Sequence, residues 1–275
     1  MNVQTVEYSD KNAPSLFTKS LHKTGFSVLT DHPIDKDLIN EVYSEWGMFF
    51  SNELKKNYLF NKKTQDGYFP LGSENAKGNP IKDLKEFFHF YPWGIFPEEL
   101  SNKTNLLFDQ LVQLTSTLLN WIEKETPQKT KLLFSRPLTE MVDDSPNNLL
   151  RIIHYPPLTG NEPSGAIRGA AHEDINLITL IVSGTEPGLQ LKDKTGKWKN
   201  ISCDPGAIAI NTGDMLQEVS DGYFPSTTHQ VINPTRNKSR YSMPLFLHPK
   251  NKVRLSKRYN AEEYLNERLK EIGLK

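Results

Sequence analysis

Residues 171–184 read AHEDINLITLIVSG, and their texture decides how the C-terminal half folds. The apolar run is short and stops at Ser183-Gly184, which suits a buried strand better than a helix. From Asn148 onward the same texture recurs in LLRIIHY (149–155), GLQL (188–191), KWKNI (197–201), AIAIN (207–211), HQVIN (229–233) and YSMPLFL (241–247). Gly, Pro and Asp punctuate these runs. Many short strands with frequent turn signals predict a β-sandwich or barrel.

Upstream the periodicity is helical. Leu16, Phe17 and Leu21 predict a short amphipathic helix over 13–24, with Gly25 as its stop. A strand over Phe26–Leu29 follows. Asp35 reads as an N-cap for a helix whose buried face is Leu38, Ile39, Val42, Tyr43, Trp46, Phe49 and Phe50. A third helical piece covers Glu53 to Leu59. Asn61 to Pro80 is polar and rich in Gly and Asn, and forms a candidate lid. KEFFHFY (85–91) reads as a strand. The longest helix is expected between Pro97 and Thr126, packed along the outside of the sheet. Asn260 and Glu263 pair as a cap for a C-terminal helix with Tyr264, Leu265, Leu269 and Ile272 on one face. The composition shifts near residue 147. A helical N-terminal region (1–146), a β core (147–250) and a C-terminal helix (251–275) are expected to pack as one structural unit.

Lys plus Arg (33) equals Asp plus Glu (33), so no net charge argues for nucleic acid or an anionic membrane surface. The single cysteine, Cys203, excludes an intramolecular disulfide framework and a multi-cysteine metal site. It reads as a packing residue at a turn edge. No signal-peptide core and no apolar run of membrane-spanning length occur. A cytoplasmic protein is expected, either a monomer or a weak homo-oligomer.

His172 and Asp174 are two apart, so on an extended strand they share a face while Glu173 points away. His229 opens another apolar strand. Two imidazoles and one carboxylate suit Fe(II), holding one face of the ion and leaving other positions open. Alone, this set arises often by chance, and for each histidine taken singly a satisfied core or surface role is the commoner reading. His22, His32 and His248 read as structural, whereas His89 and His154 lie in strands that can line a cavity. Arg240 and Ser242 repeat the two-residue spacing. Arg240 offers a planar fork for a carboxylate, and Ser242 a hydroxyl.

Taken together, RIIHYPP (151–157), AHEDINLITLIV (171–182), GLQLKDKTGKW (188–198), the stretch from Pro205 to Val231 and the Arg240-x-Ser242 pair resemble the isopenicillin N synthase-like branch of the Fe(II)- and 2-oxoglutarate-dependent oxygenases. TGFSVLTDHPI (24–34), GYFPLG (67–72) and KEFFHF (85–90) resemble that family's leading domain, so the likeness covers roughly residues 14 to 250. It implies a mainly β fold with flanking helices, built on a double-stranded β-helix (jelly-roll) core. It also implies Fe(II) on His172, Asp174 and His229, and 2-oxoglutarate anchored by Arg240 and Ser242, with Tyr155 in contact with a bound carboxylate. O2 would be the oxidant and ascorbate an auxiliary reductant. The implied reaction oxidises a small molecule, chiefly by hydroxylation, and releases succinate and CO2.

Two departures stand out. The family's common asparagine two residues before Tyr155 is Ile153, and the small hydroxylated residue between His and Asp is Glu173. HEDINLIT is closer to isopenicillin N synthase itself, which keeps an Arg-x-Ser pair without using 2-oxoglutarate. An oxidase of that type, and a jelly-roll binding protein without catalysis, are the competing expectations. Substrate-pocket candidates are Tyr68, Phe69, Glu74, Phe88, Phe90, Arg168 and Phe246. Glu74 and Arg168 are expected to pair with a charged substrate such as an amino acid.

Overall fold

The computed structural model describes residues 2–75, 80–202 and 206–271. Cys203, Ile272 and residues 76–79 of the candidate lid therefore lie outside the described residues. In chain order the elements are β1 (Gln4–Glu7), α1 (Ala13–Thr24), β2 (Phe26–Thr30), α2 (Lys36–Ser51), β3 (Gly67–Phe69), β4 (Glu86–Phe90), α3 (Lys103–Glu125), α4 (Gln128–Lys131) and α5 (Leu138–Val142). There follow β5 (Leu149–Tyr155), β6 (Gly169–His172), β7 (Ile178–Val182), β8 (Leu189–Lys192), β9 (Trp198–Asn200), β10 (Ile208–Thr212), α6 (Asp214–Val219), β11 (His229–Val231), β12 (Arg240–Leu247) and α7 (Ala261–Glu271).

Local chemistry accounts for the helix boundaries. The Asp35 carboxylate accepts hydrogen bonds from the backbone N–H groups of Asp37 and Leu38, and all seven apolar positions of the predicted α2 face are buried. Gly25 ends α1 at φ 69°, in the left-handed region. A Cβ there would also lie 2.2 Å from Thr227 Oγ1. The predicted piece after α2 is a 3-10 helix over Glu53–Tyr58. Asn260 and Glu263 bond reciprocally at the start of α7, at 2.9 Å in each direction.

The strands form two sheets. The larger runs β1-β2-β10-β7-β12-β5-β4-β3, and the smaller runs β6-β11-β8-β9. Apart from the edge strand β1, of which only Val6 is buried, the strands of the larger sheet are largely buried on both sides. One face meets the helices through Trp46, Phe50, Phe88, Leu150, Leu180, Ile210 and Leu245. The other meets the smaller sheet through Phe26, Phe87, Ile153, Tyr155, Ile181, Ala209, Leu191 and Val231. This is the jelly-roll sandwich, flanked by helices on one side. Helix α3 packs against α1, α2 and α5. It also reaches the sheet, where Phe108 packs against Phe90 of β4 with ring centroids 5.7 Å apart, so it lies outside the sheet as expected and braces the other helices as well. The loop holding the candidate lid contains β3, which pairs with β4.

The two-sided burial matters for the site. On β4, Phe87 and His89 face the inter-sheet space, and Glu86, Phe88 and Phe90 face the helices. On β5, Ile153 and Tyr155 face the space between the sheets, and Leu150 and Ile152 face the helices.

Candidate metal and cosubstrate site

Two short antiparallel strands create the centre. In β6 and β11, His172 and His229 are paired in register, with ring centroids 4.4 Å apart. Asp174 lies just beyond β6. Its Oδ1 is 3.6 Å from His172 Nε2 and 3.8 Å from His229 Nε2. One ligand atom from each residue lies within 4.8 Å of the other two, so the set can surround a single ion.

Each donor is oriented from behind. His172 Nδ1 is 2.8 Å from the Ala170 carbonyl, and His229 Nδ1 is 3.1 Å from that of Thr227. A carbonyl accepts only from an N–H, so each Nδ1 carries the proton and each Nε2 lone pair is free. Asp174 Oδ2 accepts from Thr179 Oγ1 at 2.6 Å and Asn211 Nδ2 at 2.8 Å. Oδ1 is left toward the histidines. Desolvation alone would raise the Asp174 carboxyl, but His229, His172, Asn211 and Thr179 together hold it below its ordinary value. Burial, followed by the neighbouring His229, brings His172 down to about 4. Its side chain is still 39 % open to the cavity, so solvent tempers that shift. The low values of His172 and Asp174 favour a neutral imidazole and a carboxylate, the forms in which those two groups bind a metal. Thr179 and Asn211 were not singled out in the sequence. The signal available was a polar residue inside each apolar run, LITLIV and AIAIN. Thr179→Val removes a hydrogen bond to the ligand carboxylate. It is expected to weaken Fe(II) affinity by roughly 10–100-fold, read by competition with a chelator.

Glu173 is exposed on the rim and accepts a hydrogen bond from Thr228 Oγ1 at 2.8 Å. It turns away from the cavity, as the strand alternation predicted. The unusual HED motif therefore adds no group to the site.

Arg240 and Ser242 are buried on the inward face of β12, and Arg240 is paired in register with Tyr155 of β5. The Arg240 guanidinium lies 5.1 Å from the Tyr155 ring centroid, and its Nε donates to the Glu186 carbonyl at 2.9 Å. Its Nη1 is buried with no hydrogen-bond partner. A Cβ on Gly184 would come within 2.6 Å of Nη2, so glycine is what makes room for the fork. A cavity of about 210 Å³, lined by Ile181, Gly184, Leu189, Ala209 and Arg240 among others, flanks the guanidinium and stops short of the triad. A buried cation with an unmet donor fits an acidic ligand.

The remaining pocket candidates separate. Phe69 stacks on Phe87 at 4.4 Å, and Phe246 lies beside the Arg151 guanidinium at 5.3 Å, so both face the cavity side. Tyr68, Phe88 and Phe90 belong to the helix-facing core, and Tyr68 bonds Glu86 there. They are corrected to structural residues. The parity of β3 and β4 was misread because both faces are apolar and no alternation marks the inner one. His154 likewise faces the helices, stacked on Tyr241 at 4.7 Å.

Glu74 and Arg168 do not act together. Glu74 forms ion pairs with Lys85 at 2.8 Å and Arg151 at 3.4 Å. Lys85 also bonds Asp83 at 2.8 Å, and Arg151 Nε donates to His89 Nε2 at 2.9 Å. This buried charged cluster sits above Phe87, 4.6 Å from the Arg151 guanidinium. His89 was read in the sequence as able to line a cavity, whereas Lys85, Phe87 and Arg151 were not singled out, although Lys85 and Phe87 share with His89 the two-residue spacing of one strand face. Arg168 lies elsewhere, its guanidinium 6.0 Å from the Tyr155 ring.

Burial, then the Arg151 charge, brings His89 down to about 3. Burial also lowers His32 and brings His248 to about 4. Below pH 6.5 the unfolded chain takes up protons that these folded histidines refuse. The unfolded state binds more protons, so stability falls with falling pH. His89 alone, almost fully buried, contributes a loss of up to about 1.4 kcal/mol per pH unit below 6.5 until its folded value is reached. The carboxylates held low, Asp174 and Glu86, act in the same direction. Urea midpoints of the metal-free protein are expected to drop steadily from pH 7 to pH 5, and less steeply for His89→Gln.

The pattern of the 2OG-Fe(II) oxygenase superfamily matches residues 146–249, and that of the non-haem dioxygenase N-terminal region, named for morphine synthesis, matches residues 9–109. A Shewanella oneidensis protein whose crystal structure is described as that of an oxygenase is 52% identical, with 99% of each chain covered and a TM-score of 0.90. A 2OG-Fe(II) oxygenase family protein from Caulobacter crescentus is 30% identical over 98% of this chain and 99% of its own, with a TM-score of 0.82. The 2-oxoglutarate-dependent dioxygenase of Didymella fabae is 26% identical over 83% of this chain and 77% of its own length. Among the described residues no helix is long and apolar enough to cross a membrane. The superfamily pattern spans every strand from β5 to β12, the Caulobacter relative aligns almost end to end, and this chain belongs to the 2OG-Fe(II) oxygenase superfamily.

Proposed function

We propose that this chain is an Fe(II)- and 2-oxoglutarate-dependent oxygenase that hydroxylates a small molecule, with one O2 consumed and succinate and CO2 released. The observation that carries the reading is one inter-sheet space holding two features. His172, Asp174 and His229 converge at a point, and Arg240 is a buried guanidinium with an unmet donor. Bound iron would activate O2, the oxidant, and 2-oxoglutarate would supply two of the four electrons that O2 takes up, the substrate C–H bond supplying the other two.

This chain's residues supply position. His172 Nε2, His229 Nε2 and Asp174 Oδ1 are the metal donors. The Ala170 and Thr227 carbonyls fix the two imidazole tautomers, and Thr179 and Asn211 hold the carboxylate. Arg240 and Ser242 bind the distal carboxylate of 2-oxoglutarate, with Tyr155 as the wall beside it. Phe69, Phe87 and Phe246 give the substrate an apolar surface. Glu74, Lys85, Arg151 and His89 offer it charge and hydrogen bonds. Ile153, Ile181 and Val231 exclude water from the space between the sheets. The balanced charge supports an enzyme of free small molecules rather than of nucleic acid, and the single cysteine fits a reducing compartment such as the cytoplasm.

Conversion of 2-oxoglutarate to succinate by the Fe(II)-loaded protein, with ascorbate present and a broad substrate panel, tests the reading. Succinate formation that requires iron and rises with one substrate class is expected. Oxygen uptake that proceeds undiminished without 2-oxoglutarate would contradict it.

A further inference from the structure

Arg168 carries an unmet charge that the reading so far leaves unused. It lies one residue before β6, whose inward positions run Arg168, Ala170, His172 at the two-residue period of a strand. His172 is at the metal end of this row. Ala170, between Arg168 and His172 in this row, is buried and carries only a methyl group. Arg168 is at the far end and is 0 % exposed.

Its guanidinium is half satisfied. Nη2 donates to the carbonyls of Lys238 at 2.6 Å and Thr235 at 3.3 Å, in the loop that leads into β12. Nε and Nη1 are buried without a hydrogen-bond partner. Arg240 has the same deficit at Nη1. The two guanidiniums lie 6.0 and 5.1 Å from one Tyr155 ring centroid. Among the described residues neither has a carboxylate within ion-pair distance, because the nearby Glu186 is engaged by Lys238 at 3.1 Å. Two buried like charges beside one ring destabilise each other and leave donors unmet, which a folded chain tolerates when a ligand supplies the anion. Arginine presents donors on two edges, so one edge can hold the β11–β12 loop while the other faces a ligand.

We propose that Arg168 is a second binding residue for the distal carboxylate of 2-oxoglutarate, forming with Arg240 a two-guanidinium clamp around Tyr155. The clamp makes the cosubstrate site selective for a 2-oxo diacid over a 2-oxo acid with an uncharged tail. The inference rests on the assignment of Arg240 and Ser242 as the cosubstrate anchor.

The test is calorimetric binding under anaerobic conditions to the full-length Fe(II)-loaded protein. It uses 2-oxoglutarate and 2-oxopentanoate, which keeps the 2-oxo acid head and ends in a methyl group. Arg168→Gln is expected to weaken 2-oxoglutarate roughly 10- to 100-fold and 2-oxopentanoate less than about 2-fold. Arg168→Lys keeps the charge on a slimmer stem. It should recover part of the lost affinity, and it serves as the test if the glutamine variant does not fold. Arg240→Gln is the reference. If it weakens 2-oxoglutarate while both Arg168 variants bind like the wild type, Arg168 is only a loop clasp and the clamp is overturned. Equal weakening of both ligands by Arg168→Gln would overturn it too. If Arg240→Gln also binds normally, it is the anchor assignment that fails.

Discussion

Asp174→Ala is expected to leave a folded protein that retains no iron through desalting and forms no succinate above background. The carboxylate is the one anionic donor of the three. Without it, two neutral imidazoles face the ion, and nothing offsets the ion's charge within that buried space. The loss should exceed the roughly 10–100-fold expected when only a residue behind a ligand is changed. Thr179 Oγ1 and Asn211 Nδ2 would lose their common acceptor, so some stability is lost as well. Elemental analysis of the desalted protein, with circular dichroism to verify folding, separates the two effects. Iron retained at one per chain would contradict the ligand assignment.

Arg240→Ala is expected to spare iron binding and cost the cosubstrate. Its guanidinium is buried, held by the Glu186 carbonyl and given room by Gly184. Truncating one member of a buried charge pair costs about 2–5 kcal/mol, which corresponds to a rise in the dissociation constant of roughly 30- to several thousand-fold. The apparent KM for 2-oxoglutarate should rise with it, while the iron content stays at the wild-type level. Normal 2-oxoglutarate affinity in this variant would remove the anchor from the account.

Local signals made much of this architecture readable in the sequence. The cap at Asp35, the stop at Gly25 and the apolar face of α2 act over a few residues, and each lies where its chemistry placed it. The pairs His172/Asp174 and Arg240/Ser242 were readable because strand alternation puts residues two apart on one face. Partnerships across the fold left no such trace. Arg151 bonds His89, and Lys85 bonds Glu74, through pairing of β4 with β5 and the path of a loop. Parity failed on EFFHF because helices cover one side and the second sheet the other, and a strand apolar on both faces does not announce which one lines the cavity. Arg168 was legible as a charge but not as a neighbour of Arg240, since the loop it clasps lies far along the chain.

The central claim is that one inter-sheet space holds both the metal on His172, Asp174 and His229 and the cosubstrate on Arg240. The most direct measurement is an anaerobic calorimetric titration of the protein with 2-oxoglutarate, with and without one equivalent of Fe(II). The account predicts one 2-oxoglutarate per chain, tight binding only when iron is present, and loss of that iron dependence in Asp174→Ala. Binding of equal strength with and without iron, or iron-dependent binding that survives in Asp174→Ala, would contradict it.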